Sequence, residues 1–330
     1  MTLLRAIPFS LNVLWRLAIV FPFMLIAIFV FGFIATIFVI IMSFISPLVA
    51  GVMIIAFAVG ASVLPVIVGA RLGLQAKQSS MRNSYFGLML PAIGYGIFEA
   101  FCVLLIIGAG VGIYLFATPL TLEELTRLTD MEPELVFAQL ASVNPVITLS
   151  ILWVGSVLII GLRAALLMPL AGASIGMDPS GRPHTPFFGF GSEFGSLLIV
   201  VAISYILSTF TVPIALTVSY LAGFGDAITD ELAQLEARPS VGTLELIGWE
   251  TWAFVGLCLL FYIWAFSLQS AGGVLAYMNQ AEEFSDQQNA FDMSMDAHLE
   301  TMSASKPVEK QVQSEDVMEL IRSRMQQKNR

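Results

Sequence analysis

Glu99 is the residue in this sequence with the clearest chemical potential. It stands inside a run of apolar and glycine residues from Tyr85 to Phe116, and Pro91, Gly94 and Gly96 come shortly before it. Counted from Tyr85, it lies about 21 Å along a helix, at or past the middle of a bilayer. A carboxylate at that depth costs about 2.5–3.5 kcal/mol, so it must be protonated, paired or turned towards a wet cavity. Pro91 withholds one helix hydrogen bond and would free the carbonyl of Gly87. A locally unwound helix leading to an acid would suit an intramembrane proton or cation site. The alternative is a kinked, closely packed helix in which a neutral Glu99 bonds to a neighbouring hydroxyl.

Arg163 and Glu193 fall at similar depth on either side of a short turn, which makes them a candidate ion pair. An arginine reaching to headgroups beside a glutamate in the first turn of a helix accounts for the same two residues. Cys102 and Cys258 sit in separate apolar runs and offer neither a disulfide framework nor a CxxC spacing. Of the two histidines, His298 is in the C-terminal stretch. His184 lies between Pro183 and Thr185 in a turn-rich loop, where a solvated side chain is expected. No HExxH, GxSxG or Walker loop occurs, nor a ligand cluster at metal spacing. The sequence therefore predicts no catalytic residue, metal or cofactor, and no enzyme.

The elements that must position these residues are membrane spans. Between Arg16 and Arg71 the chain has no Asp, Glu, Lys, Arg or His. That stretch would make roughly 80 Å of helix, more than twice a hydrocarbon core of about 30 Å, so it must fold back on itself. The turn is expected at Ser43-Phe44-Ile45-Ser46-Pro47. The whole chain is 57% hydrophobic and 12% charged, with a mean hydropathy of +0.86. Soluble domains carry about 25% charged residues. A net charge of −9 argues against nucleic acid as a partner. The lipid bilayer is the partner that composition requires.

The pattern predicts an all-α polytopic membrane protein with six spans arranged as three hairpins. They fall at about 17–42, 48–70, 85–116, 146–170, 187–224 and 249–278, after an amphipathic lead-in over 1–16. Six spans place both termini on one side, together with Arg5, Arg16, Arg71, Lys77, Arg82, Arg163 and Arg182. Only Arg127 and Arg238 fall opposite, so the positive-inside rule puts both termini in the cytoplasm of a bacterial inner membrane. Residues 279–330 are polar and almost free of aromatics, and read as a mostly disordered tail.

In the tail, Ser314 can cap a short helix with acids in its first turn and arginines later. Val317, Leu320, Ile321 and Met325 would share one face, suited to docking a partner or the inner leaflet. Glycine pairs four apart, at Gly69/Gly73, Gly108/Gly112, Gly172/Gly176 and Gly191/Gly195, invite close helix packing or self-association. The segments Ile67–Leu74 and Ile159–Leu166 align on Arg71 and Arg163, which suggests hairpins related by a parallel repeat.

The stretch Gly161-Leu162-Arg163-Ala164-Ala165-Leu166-Leu167-Met168-Pro169-Leu170-Ala171-Gly172-Ala173 carries an arginine–apolar–proline–alanine element. It resembles the membrane domains of some bacterial glycerophosphodiester phosphodiesterases and related uncharacterised six-span proteins. That resemblance implies a membrane module of accessory character and not a catalyst. The expected function is an accessory or scaffold protein recruiting a partner through its tail. A secondary transporter or small-solute channel using Glu99 is the alternative.

Overall fold

A computed structural model describes residues 2–77, 84, 86–128, 133–237 and 247–304. Among them the backbone is helical apart from turns and one isolated bridge, Met177 to Pro183. Helices satisfy their own backbone groups, which hydrocarbon demands of any spanning segment. Five described helices are long and apolar enough to cross a bilayer, and a bent pair makes a sixth if counted as one span. The protein is thus an all-α, multi-pass membrane protein.

The first helix, α1 (Thr2–Ser43), absorbs the expected lead-in. Its Ala6, Ser10, Val13 and Leu17 are fully buried, whereas Leu4, Leu11 and Trp15 are exposed. Ala6, Ser10 and Val13 of the lead-in therefore pack against protein, while Arg5, Asn12 and Arg16 stay exposed along with Leu4, Leu11 and Trp15.

Two prolines break spans that the sequence reads as continuous. The second span is α2 (Pro47–Ala61) and α3 (Val63–Ala76), interrupted at Ser62. The fifth is α8 (Phe194–Thr209) and α9 (Thr211–Leu221), bent by 55°. Pro65 and Pro213 are each the third residue of the later helix. Each ring crowds the carbonyl four residues earlier, that of Ala61 or Thr209, and offers it no N–H. The fifth span also begins at Phe194 and not at 187, because residues 186–193 are a string of turns.

The third span, α4 (Met89–Ala117), is continuous. Pro91 occupies its first turn, where a missing N–H costs no intrahelical bond. The unwinding expected between Pro91 and Gly96 is absent. Beyond α4 come the short helices α5 (Leu122–Leu128) and α6 (Pro133–Val143). The fourth span, α7 (Pro145–Ile175), starts on an Asn144 cap whose side chain accepts from Ile147 N, and it stops at left-handed Gly176. It runs twelve residues past Arg163, so that arginine lies mid-helix. After α10 (Gly225–Ala237), the last described helix, α11 (Trp249–Ala304), continues beyond the expected span end at 278.

The chain divides into two compact units, Met1–Met278 and Asn279–Arg330. The described part of the second, 279–304, is helical where a disordered tail was expected. The candidate tail helix with Val317, Leu320, Ile321 and Met325 lies outside the described residues.

Within the first unit the core gathers at one end, hereafter the loop end, where α3 finishes and α4 starts. There Arg163–Ile175 of α7 are buried without interruption, against Val63 to Leu74 of α3 and Leu197 to Ser204 of α8. The α11 segment 265–277 joins them through hydrogen bonds. Ser270 Oγ donates to Val66 O (3.0 Å), Ser204 Oγ to Ala265 O (2.8 Å), and Gln269 Nε2 to Ser204 Oγ (2.8 Å). Gly73 and Gly273 admit Val274 and the Leu167 backbone, the close approach that small residues permit.

Candidate functional site

Glu99 and Arg163 meet in this core. Glu99 Oε1 lies 2.9 Å from Arg163 Nε, and the two side chains are 0% and 1% exposed. The first comes from α4, about 15 Å past Met89, and the second from the middle of α7. Their approach is ionic and poorly aligned, because neither Nε nor Oε1 has a partner in hydrogen-bond geometry. Two isolated charges in a dry interior would each cost several kcal/mol, and mutual neutralisation is what makes this burial tolerable.

The break in the second span completes the arginine's shell. Arg163 Nη2 donates to Val59 O (3.1 Å) and to Ser62 Oγ, while Ser62 Oγ itself donates to Val59 O (2.6 Å). The Tyr205 hydroxyl of α8 lies beside the guanidinium. The pair thus ties together α2–α3, α4, α7 and α8. Among the described residues, Glu99 Oε2 and Arg163 Nη1 have no hydrogen-bond partner.

Above the pair, towards the loop end, residues 176–193 fold back along α7. The reason is Pro169. It cannot donate to Ala165 O, and the free carbonyl accepts from Gly191 N at 3.3 Å. Asp178, almost fully buried, organises the loop. Its Oδ1 accepts from Thr185 N (3.0 Å), its Oδ2 accepts from Thr185 Oγ1 (2.9 Å), and its Oδ1 lies 3.0 Å from His184 Nδ1. His184 Nε2 in turn lies 3.0 Å from the Tyr95 hydroxyl of α4.

Gly172 leaves the imidazole its space, since a Cβ there would sit 3.0 Å from Nδ1. Burial pushes the His184 imidazole below its usual value, and Asp178 opposes that shift without cancelling it. Phe187 caps the assembly with ring contacts to Tyr95 (5.8 Å) and Phe98 (4.8 Å). It does so with φ at +65°, and Glu193 has φ at +51°, conformations that carry strain in side chains of this size.

Glu99 and Arg163, singled out separately in the sequence, are therefore partners of each other. Arg163 does not take Glu193, which sits at the start of α8 with its Oε2 accepting from Ser196 Oγ (3.3 Å). Gly96 packs against Gly60, where each would place a Cβ 2.8–2.9 Å from the other's carbonyl oxygen. Gly94 faces open space, and Pro91 begins the helix.

His184 is the largest departure, a half-buried bridging group where a solvated one was expected. Sequence reasoning also missed Ser62, Tyr95, Asp178 and Tyr205. Pro65 and Pro169 were the available signals, because each leaves a carbonyl that something else must satisfy or avoid.

Comparison with protein-family models, curated proteins and solved structures gives no match. Fold and site together define a class: an all-α multi-pass membrane protein whose described core holds the buried Glu99–Arg163 ion pair.

Proposed function

We propose that this chain is a non-catalytic accessory or scaffold protein of a bacterial inner membrane, with both termini cytoplasmic. The observation that carries this reading is the closed state of Glu99. The carboxylate is spent on Arg163 at 0% exposure, so it serves the architecture and presents nothing to a passing solute. A cavity of about 190 Å³ between α1, α2, α3 and α4 is walled by Ile28, Ile34, Ala61, Leu64, Ile93 and Ile97, and Glu99 does not line it. Orientation follows the positive-inside bias, with Arg5, Arg16, Arg71, Lys77, Arg82 and Arg182 on one side against Arg127 and Arg238.

Recruitment is assigned to the C-terminal stretch, with Val317, Leu320, Ile321 and Met325 as the docking stripe. Deletion of 311–330 followed by in-cell cross-linking tests it. The reading expects loss of at least one cross-linked partner, and an unchanged set contradicts it.

Transport or channel activity through Glu99 is the second reading. One observation favours it, the unpartnered Glu99 Oε2 and Arg163 Nη1. Its other premise, a helix opened at Pro91–Gly96, is lost. Vesicles reconstituted with Glu99→Gln separate the two readings: proton- or cation-driven uptake in the parent that vanishes in the variant would favour transport.

A further inference from the structure

The cavity between α1, α2, α3 and α4 is a groove that opens sideways. On α4 it is lined by Met89, Ala92, Ile93, Gly96 and Ile97. These fall at i, i+3, i+4, i+7 and i+8, so they make one stripe, about 12 Å long, that starts at the first residue of the helix. A second wall is Gly60 and Ala61 of α2 with Leu64 of α3, and α1 supplies a third. The α2 and α4 walls meet at Gly60 and Gly96, whose backbones pack directly on one another.

Chemistry, position and size each bear on the occupant. Every described residue lining the groove is apolar or glycine, so it offers an ion, a headgroup or a water no polar partner. The rim belongs to the lipid-facing surface, because Val30, Ile34, Met89, Ile93 and Ile97 are all exposed. A dry cavity of about 150 Å³ takes up benzene, so the roughly 190 Å³ here has room for a short run of hydrocarbon. Drawn out along about 12 Å, that space is far too narrow for a helix, which is about 10–12 Å across. A single hydrocarbon chain fits it.

We propose that this groove binds one acyl chain of a bilayer phospholipid, entered sideways from the leaflet at the loop end. The gain is not hydrophobic, since the chain leaves hydrocarbon to enter it. It comes from packing: walls on three sides give the chain, and the walls themselves, contacts that an unfilled groove would forfeit.

The site adjoins the buried pair. Gly60 and Ala61 stand between Val59 and Ser62, both of which accept from Arg163 Nη2. On α4, Gly96 and Ile97 lie within one turn of Glu99. A seated chain therefore packs the break in the second span against α4 and supports the arginine's shell from the lipid side.

Photolabelling of the full-length protein in nanodiscs tests the site, using phosphatidylglycerol with a diazirine on one acyl chain. Ile93 in the groove and Ile199 on α8 are matched reporters. They are 46% and 50% exposed, and each lies in the second turn of a helix that starts at the loop end. Ile93 should take roughly threefold more label than Ile199, because a seated chain stays beside it. Equal labelling overturns the proposal. Weaker labelling at Ile93 also overturns it, by showing that protein and not lipid covers the groove. Ala61→Phe fills the space and should bring Ile93 down to the Ile199 level, and an excess that persists in this variant contradicts the site. Should the variant not fold, the comparison of Ile93 with Ile199 in the parent decides alone. The scaffold reading stands or falls separately, on the deletion of 311–330.

Discussion

The two halves of α7 show how differently one helix can be used. From Val146 to Leu162 only Thr148 is buried, and Leu152, Trp153 and Val154 face outward. From Arg163 to Ile175 every residue is buried. Both halves are apolar in sequence. Lipid makes the difference, because a leucine gains nothing by leaving hydrocarbon for a protein interior. What marks the packed half is its dense run of small residues, Ala164, Ala165, Ala171, Gly172, Ala173 and Ser174, together with Arg163 and its pairing with Glu99. Hydropathy reports the solvent of a membrane helix, and its small and charged residues report its neighbours.

Breaking the packed half at its charges should have the largest effect. Arg163→Ala leaves Glu99 buried beside no cation and should cost about 3–5 kcal/mol, read as loss of folded, monodisperse protein in mild detergent. Gly60→Val should follow, since a side chain there meets the Gly96 backbone. Overpacking of this kind costs about 1–3 kcal/mol, visible as a lower denaturation temperature. Ser62→Ala removes one of Arg163's acceptors while Val59 O remains, and about 1 kcal/mol is expected from the same assay. At the bottom of the scale, Leu152→Ala in the outward half of α7 should change stability by less than about 0.5 kcal/mol, as surface positions do. A Leu152 effect as large as that of Ser62 would erase the contrast between the halves.

Much of the span pattern was legible because charge-free runs of this length have one physical explanation. The site was legible in pieces. Glu99 announced itself by its cost, and Arg163 by its place in an apolar run, but their contact joins α4 to α7 and no local spacing encodes it. Glu193 looked the better partner because it is near in sequence, and the Pro169-driven return of the loop instead sets it at the start of α8. His184 was misread for a related reason. A loop between spans ordinarily faces water, whereas this one doubles back where Ala165 O needs a donor. The continuation of α11 to Ala304 was hidden by polar composition, which resembles a tail whether or not the backbone is helical.

The central claim is that Glu99 and Arg163 hold the packed half as a unit, and a double-mutant cycle on denaturant unfolding in detergent tests it most directly. Glu99→Gln and Arg163→Met should each be strongly destabilising, and the double variant should recover most of the loss, giving a coupling of about 2–3 kcal/mol. Single-variant effects that simply add in the double variant would contradict the account.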